Sequence, residues 1–160
     1  MIRVLFVCLG NICRSPMAEA IFRHKVNEAG LSASFQIDSA GTGNWHVGKP
    51  PHKETLTILQ ENDIPSGGLK ARQVVKEDVH RFDYMIGMDT ENVGNLRAIA
   101  GATGKAEISR LLDYVPAATI VDVPDPYFTG NFDEVYDLIS EGCERLLAYI
   151  CEKEGLTDQG

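Results

Sequence analysis

A largely apolar run at 2–7 passes straight into Cys8-Leu9-Gly10-Asn11-Ile12-Cys13-Arg14-Ser15, and Pro16-Met17-Ala18-Glu19-Ala20 then opens a helical pattern. A buried strand, a tight loop and a helix start in immediate succession form a βα unit, which requires a sheet with helices packed on it. The same unit is a ready site for a phosphate or similar oxyanion. Loop amides and the first helical turn direct N–H groups and positive dipole toward one point. Gly10 and Asn11 are the loop residues best suited to left-handed backbone. Ser15 suits an N-cap and can donate its hydroxyl to the Cys8 sulfur. Pro16 fits the first turn, where a missing N–H costs nothing. Arg14 is a planar fork that can grip two phosphoryl oxygens. Cys8, surrounded by these donors, is favoured as a thiolate and so as a nucleophile. No Gly-Lys-Ser/Thr follows, so ATP chemistry is not indicated.

Expelling a phenol at neutral pH benefits from a proton donor. Asp125 is the candidate acid. It lies in Val123-Pro124-Asp125-Pro126-Tyr127-Phe128, a stretch stiffened by two prolines and followed by two aromatics. Its plainer reading is a turn aspartate. Asp89, after the apolar residues 84–88, is a rival acid but better suited to cap the helix starting at Thr90.

The segment 7–20, together with Asp38-Ser39-Ala40-Gly41-Thr42, Ala71-Arg72-Gln73 and Asp125-Pro126-Tyr127, resembles the low-molecular-weight protein tyrosine phosphatases. The match runs in order from residue 1 to about 150. The resemblance implies Cys8 as nucleophile, Arg14 as transition-state clamp, and Asp125 as general acid and then general base. Leu9, Gly10, Asn11, Ile12, Cys13 and Ser15 would form the phosphate-binding loop, with Ser39 supporting Asn11. Ile12, Trp45, Tyr127 and Phe128 would line the substrate cleft. Cys13 would be a redox partner of Cys8; on the residues alone it is equally a small packing residue. Trp45 is a lone tryptophan in a Gly-rich stretch, which suits a rim better than a core. Relatives often carry His where this chain has Leu69, so one hydrogen bond to the loop is expected to be missing. The implied partners are phosphotyrosine proteins, with phosphate or other oxyanions in the site and no metal or cofactor.

Alternating apolar runs and helical patterns predict strands at 3–7, 34–39, 84–88 and 107–111. Helices are predicted at 16–29, 53–62, 77–82, 90–100 and 132–152, with 113–130 as loop. The expected fold is α/β: a single-domain three-layer sandwich with a central four-stranded parallel sheet and helices on both faces, over 1–155, then a tail at 156–160. A net charge of −8 argues against a nucleic-acid binder. No apolar run is long enough to span a membrane and no signal-peptide layout is visible, so a cytoplasmic protein is expected, as a monomer. The four cysteines form no disulfide framework and no CxxC, and the four histidines are scattered as surface or rim residues.

Two other reactions fit the same fold. A protein-arginine phosphatase tends to carry Thr where this chain has Ile12. An arsenate reductase needs further cysteines on mobile loops, and only Cys143 and Cys151 are available, both on a predicted helix. A non-catalytic phosphate reader would lack Cys8 or Asp125, and both are present.

Overall fold

The computed structural model describes residues 1–102, 104–116 and 119–156. The predicted tail at 156–160 therefore lies, after Leu156, outside the described residues. Four strands form one parallel sheet: β1 (Ile2–Cys8), β2 (Phe35–Gly41), β3 (Tyr84–Gly87) and β4 (Glu107–Arg110), in the order β2-β1-β3-β4. The helices are α1 (Arg14–Glu28), α2 (Lys53–Glu61), α3 (Asp78–Arg81), α4 (Thr90–Ala100), α5 (Pro126–Thr129) and α6 (Phe132–Glu154).

β1 is paired on both edges and buried on both faces, which is why its sequence is nearly continuously apolar. Its side chains alternate between two cores. Val4, Phe6 and Cys8 face one side, where α1, α2 and α6 supply Met17, Phe22, Leu59, Ile139 and others. Leu5 and Val7 face the other, against Val79 of α3 and Leu96 and Ala100 of α4. The three-layer sandwich and the four-stranded parallel sheet are thus as the sequence pattern required. Phe6, Phe22 and Phe35 meet edge to face, with centroids 5.4 and 5.7 Å apart, and anchor α1 to β1 and β2.

Most differences lie at element ends, and one short helix falls where a loop was expected. β2 runs on to Gly41 because it stays in register with Cys8 of β1. α1 begins at Arg14, two residues earlier than predicted. The 113–130 stretch contains the short helix α5, with Asp125 at its N-cap. Among the described residues no helix is long and apolar enough to cross a membrane.

Functionally, the topology matters at one point. β1 is followed by β2 on one side and β3 on the other, so the chain reverses direction across the sheet at the end of β1. In open α/β sheets that switch point is where ligands bind. Cys8 is the last residue of β1.

α6 closes over the Leu111–Tyr114 turn through Gly142, where a Cβ would stand 2.5 Å from Leu111 Cγ. Replacing Gly142 by Ala should add about 1 kcal/mol of helix propensity. The overpacking costs about 1–3 kcal/mol. A net loss of stability is therefore expected for Gly142→Ala, read as a lower urea midpoint; an unchanged or higher midpoint would show that Leu111 yields freely.

Candidate active site

The loop between β1 and α1 folds back on the Cys8 sulfur. Asn11 N donates to Cys8 Sγ at 3.3 Å and Ser15 N at 3.5 Å, and Ser15 Oγ lies 3.0 Å away. Asn11 holds the turn at φ 56°, a left-handed conformation. That conformation costs about 1–2 kcal/mol for a residue with a Cβ. The Asn11 side chain offsets it with three hydrogen bonds: Nδ2 to Ser15 Oγ (2.7 Å) and Ser39 Oγ (3.0 Å), and Oδ1 from Arg72 N (3.0 Å). At about 1 kcal/mol net each, these are enough to hold the loop.

The hydrogen-bond directions are constrained. Because Ser15 Oγ accepts from Asn11, its own proton is available for the Cys8 sulfur. Ser39 Oγ likewise accepts from Asn11 and donates to Glu19 Oε1 at 2.6 Å. Glu19 is buried, and its other oxygen takes Arg23 at 2.6 Å. Arg23 in turn donates to Ile37 O of β2 at 2.9 Å. A relay of side chains therefore runs from the nucleophile loop through α1 to β2. Glu19 and Arg23 had no visible role in the sequence beyond an i,i+4 charge pair on a helix.

Arg14 is 2% exposed. Its Nη1 donates to Asp89 Oδ2 at 2.7 Å and to Val123 O at 2.9 Å, and Nη2 lies 3.4 Å from Asp125 Oδ2. Burial alone would lower the guanidinium pKa, but Cys8, Asp89 and Asp125 around it outweigh that and raise it. Arg14 Nε is buried without a partner, an orphaned donor at the base of the site.

Asp125 caps α5 by accepting from Tyr127 N at 3.0 Å through Oδ1, which leaves Oδ2 toward Arg14. Asp125, Cys8, Leu9, Gly10, Ile12 and Cys13 line one cavity of about 360 Å³. Trp45, His46, Tyr127 and Phe128 complete its wall. Trp45, Tyr127 and Phe128 are 65%, 55% and 74% exposed, so they form a rim rather than core. Behind Tyr127, His52 stacks on Phe132 with centroids 5.0 Å apart and caps α2 by accepting from Glu54 N. The fold therefore brings together the predicted nucleophile, cation, acid and aromatic cleft residues, although Asp125 is separated from Cys8 by most of the chain.

Several details correct the sequence reading. Ser15 is not an N-cap: α1 starts at Arg14, and Ser15 sits inside the first turn with its N–H turned to the sulfur. Only Asn11, not Gly10, is left-handed; Gly10 instead lies under the His46 ring, where a Cβ would come within 3.0 Å. Asp89 does cap α4 through Oδ1, at 2.8 Å from Asn92 N, but its Oδ2 also holds Arg14. With both oxygens engaged, it is part of the cation's seat rather than a free acid. Leu69, expected to leave the loop one hydrogen bond short, packs in the apolar core, and Asn11 Oδ1 accepts from Arg72 N. Burial, then the neighbouring Cys8 and Asp125, push the Cys13 thiol up to about 12. Cys143 is wholly buried, its Sγ facing Ala18 O of α1 at 3.7 Å.

The relay yields a direct test. Ser39→Ala removes one donor from buried Glu19 and one acceptor from Asn11, which should cost roughly 1–3 kcal/mol of stability. Aryl phosphate turnover should fall with it, since Asn11 then loses one of its three side-chain hydrogen bonds. A denaturant midpoint and turnover both matching the parent would show that Ser39 does not support the loop.

The sequence profile of the family described as low molecular weight phosphotyrosine protein phosphatase matches residues 3–156. A curated relative from Bacillus subtilis (strain 168), the low molecular weight protein-tyrosine-phosphatase YfkJ, is 56% identical, covering 98% of this chain and 100% of its own. The crystal structure of YfkJ superposes with a TM-score of 0.94, covering 96% of this chain and 97% of that one. The structure of a Drosophila arginine phosphatase is similar as well, with a TM-score of 0.85 at 35% identity over 92% of this chain and 96% of that one. On fold, site geometry and these matches together, the chain belongs to the low molecular weight phosphotyrosine protein phosphatase family.

Proposed function

We propose that the chain hydrolyses phosphotyrosine in proteins by two displacements at phosphorus, with Cys8 as nucleophile and Asp125 as proton carrier. The observation that carries this reading is that Cys8, Asp125 and the aromatic rim line one cavity. In the first step the Cys8 sulfur attacks phosphorus, the P–O bond to the tyrosine ring breaks, and protonated Asp125 gives its proton to the leaving phenol oxygen. In the second step water attacks the cysteinyl-phosphate, Asp125 takes a proton from it, the S–P bond breaks, and phosphate leaves with the thiolate restored. Arg14 and the loop amides bind the phosphoryl oxygens through both steps. The orphaned Nε of Arg14 and the long Nη2 contact to Asp125 are the donors free to turn to substrate.

The net charge of −8 means that affinity for the dianion comes from the loop and Arg14, not from the field of the whole protein. The reaction needs no metal or cofactor. A cytoplasmic monomer is the setting that suits a catalytic thiol. Cys13 stands as the redox partner of Cys8 implied by the family resemblance. Burial, with Cys8 and Asp125 beside it, pushes the Cys13 thiol up to about 12, which slows its own oxidation.

Phosphoarginine is the substrate to compare. Ile12 lines the cleft and offers no hydroxyl to a P–N bond, which favours the aryl ester. An arsenate reductase relay is disfavoured by the burial of Cys143 between α6 and α1. Cys8→Ser should abolish turnover while oxyanion binding is retained. Asp125→Ala should slow aryl phosphates with poor leaving groups by about 10²–10⁴-fold and activated ones far less. Initial rates on phosphotyrosine and phosphoarginine peptides decide the substrate; equal slowing of good and poor leaving groups would remove Asp125 from its role.

A further inference from the structure

A second cavity, of about 400 Å³, lies on the far side of Trp45 from the cleft. Trp45 and Leu9 line both cavities, so the groove is continuous with the site already described. Its outer wall is one face of α4: Asn95, Ala98 and Ile99 follow the i, i+3, i+4 spacing that puts side chains side by side. The inner side of α4, through Leu96 and Ala100, is committed to the core, so this outer wall is fixed in place.

The indole between the two cavities is also held in place. Its ring packs against Gly43, where a Cβ would fall 1.9 Å from Trp45 Cζ3, so only glycine lets the ring sit there. Gly43 N is itself tied to Leu9 O of the loop at 2.9 Å. An exposed tryptophan with a concavity on either side is the anchor geometry of a recognition surface. None of the described residues lining the groove is charged, on a chain of net charge −8. A charged side chain entering it would lose hydration and meet no opposite charge, with only the Thr42 hydroxyl and the Asn95 amide to receive it, whereas an aliphatic one would be covered by Leu9, Trp45, Ala98 and Ile99.

We propose that this groove is a subsite for an apolar side chain next to the phosphotyrosine of the substrate, a proposal that rests on the phosphotyrosine reading of the cleft. An extended peptide advances roughly 3.3 Å per residue, so a residue about one or two positions from the phosphotyrosine clears the indole and enters the groove.

The test is kcat/KM of the full chain on phosphotyrosine peptides carrying Leu, Ala, Lys or Glu at each position beside the phosphotyrosine. para-Nitrophenyl phosphate, too small to reach the groove, serves as reference. Leu should exceed Glu by about tenfold at one position. Ala98→Glu, at an exposed point of the wall, should erase or invert that preference and leave para-nitrophenyl phosphate hydrolysis unchanged. A flat response to the flanking residue, or a preference that survives Ala98→Glu, would overturn the subsite. Failure of the unaltered chain to hydrolyse any of these aryl phosphates would overturn the cleft reading, and the subsite with it.

Discussion

The burial of Arg14 is the constraint from which the rest of this site follows. A guanidinium 2% exposed at the root of a strand–loop–helix unit cannot stand alone, because an unpaired buried cation is far too costly. The fold answers with Asp89 from the end of β3 and Val123 O and Asp125 from the 113–130 stretch. Val123 is also held from its other side, since its N–H donates to Met88 O at 2.9 Å. The cation thus fastens two distant pieces of chain to the carboxyl end of the sheet. This is how Asp125, more than a hundred residues from Cys8, arrives in the same cavity.

The same economy governs the loop. The left-handed turn at Asn11 is intrinsically unfavourable, yet it points backbone N–H groups at a single sulfur. Ser15, Ser39 and Arg72 hold Asn11 in place, and Glu19 with Arg23 hold Ser39. None of these supporting groups need touch a substrate. Their effect is to fix donors before reaction, so that a phosphoryl group meets oriented dipoles rather than a loop that must reorganise. The exposed aromatic rim contrasts with this rigid floor and is free to take the leaving group and its flanks.

Much of this was legible in the sequence because the information is local. An apolar run ending in Cys8, a cation six residues on, and a proline in the first helical turn specify the βα unit without any distant contact. The apolar alternation likewise placed every strand to within a residue or two. What stayed hidden depends on atoms brought together by the fold. Asp89 looks like a helix cap and is one, but only its second oxygen, turned toward Arg14, ties it to the site. Glu19 and Arg23 look like a solvated helical pair until β2 packs beside them. Ser15 satisfies every residue preference of an N-cap, yet the loop starts the helix at Arg14 because that turns the Ser15 N–H to the sulfur. Gly10 offers backbone freedom by its residue type, yet its use is the space it leaves for His46. Leu69 lies in the core, and the donor to Asn11 Oδ1 is a backbone N–H, that of Arg72, which residue type does not reveal.

We place phosphoryl transfer at Cys8, with Asp125 acting on both sides of that transfer. The most direct measurement is acid quench of the Asp125→Ala variant turning over an activated aryl phosphate, followed by mass analysis of its peptides. The expected result is one added phosphoryl group on the peptide containing Cys8, absent from Cys8→Ser and formed faster than it is hydrolysed. A phosphoryl group on another residue, or none under turnover, would contradict the account.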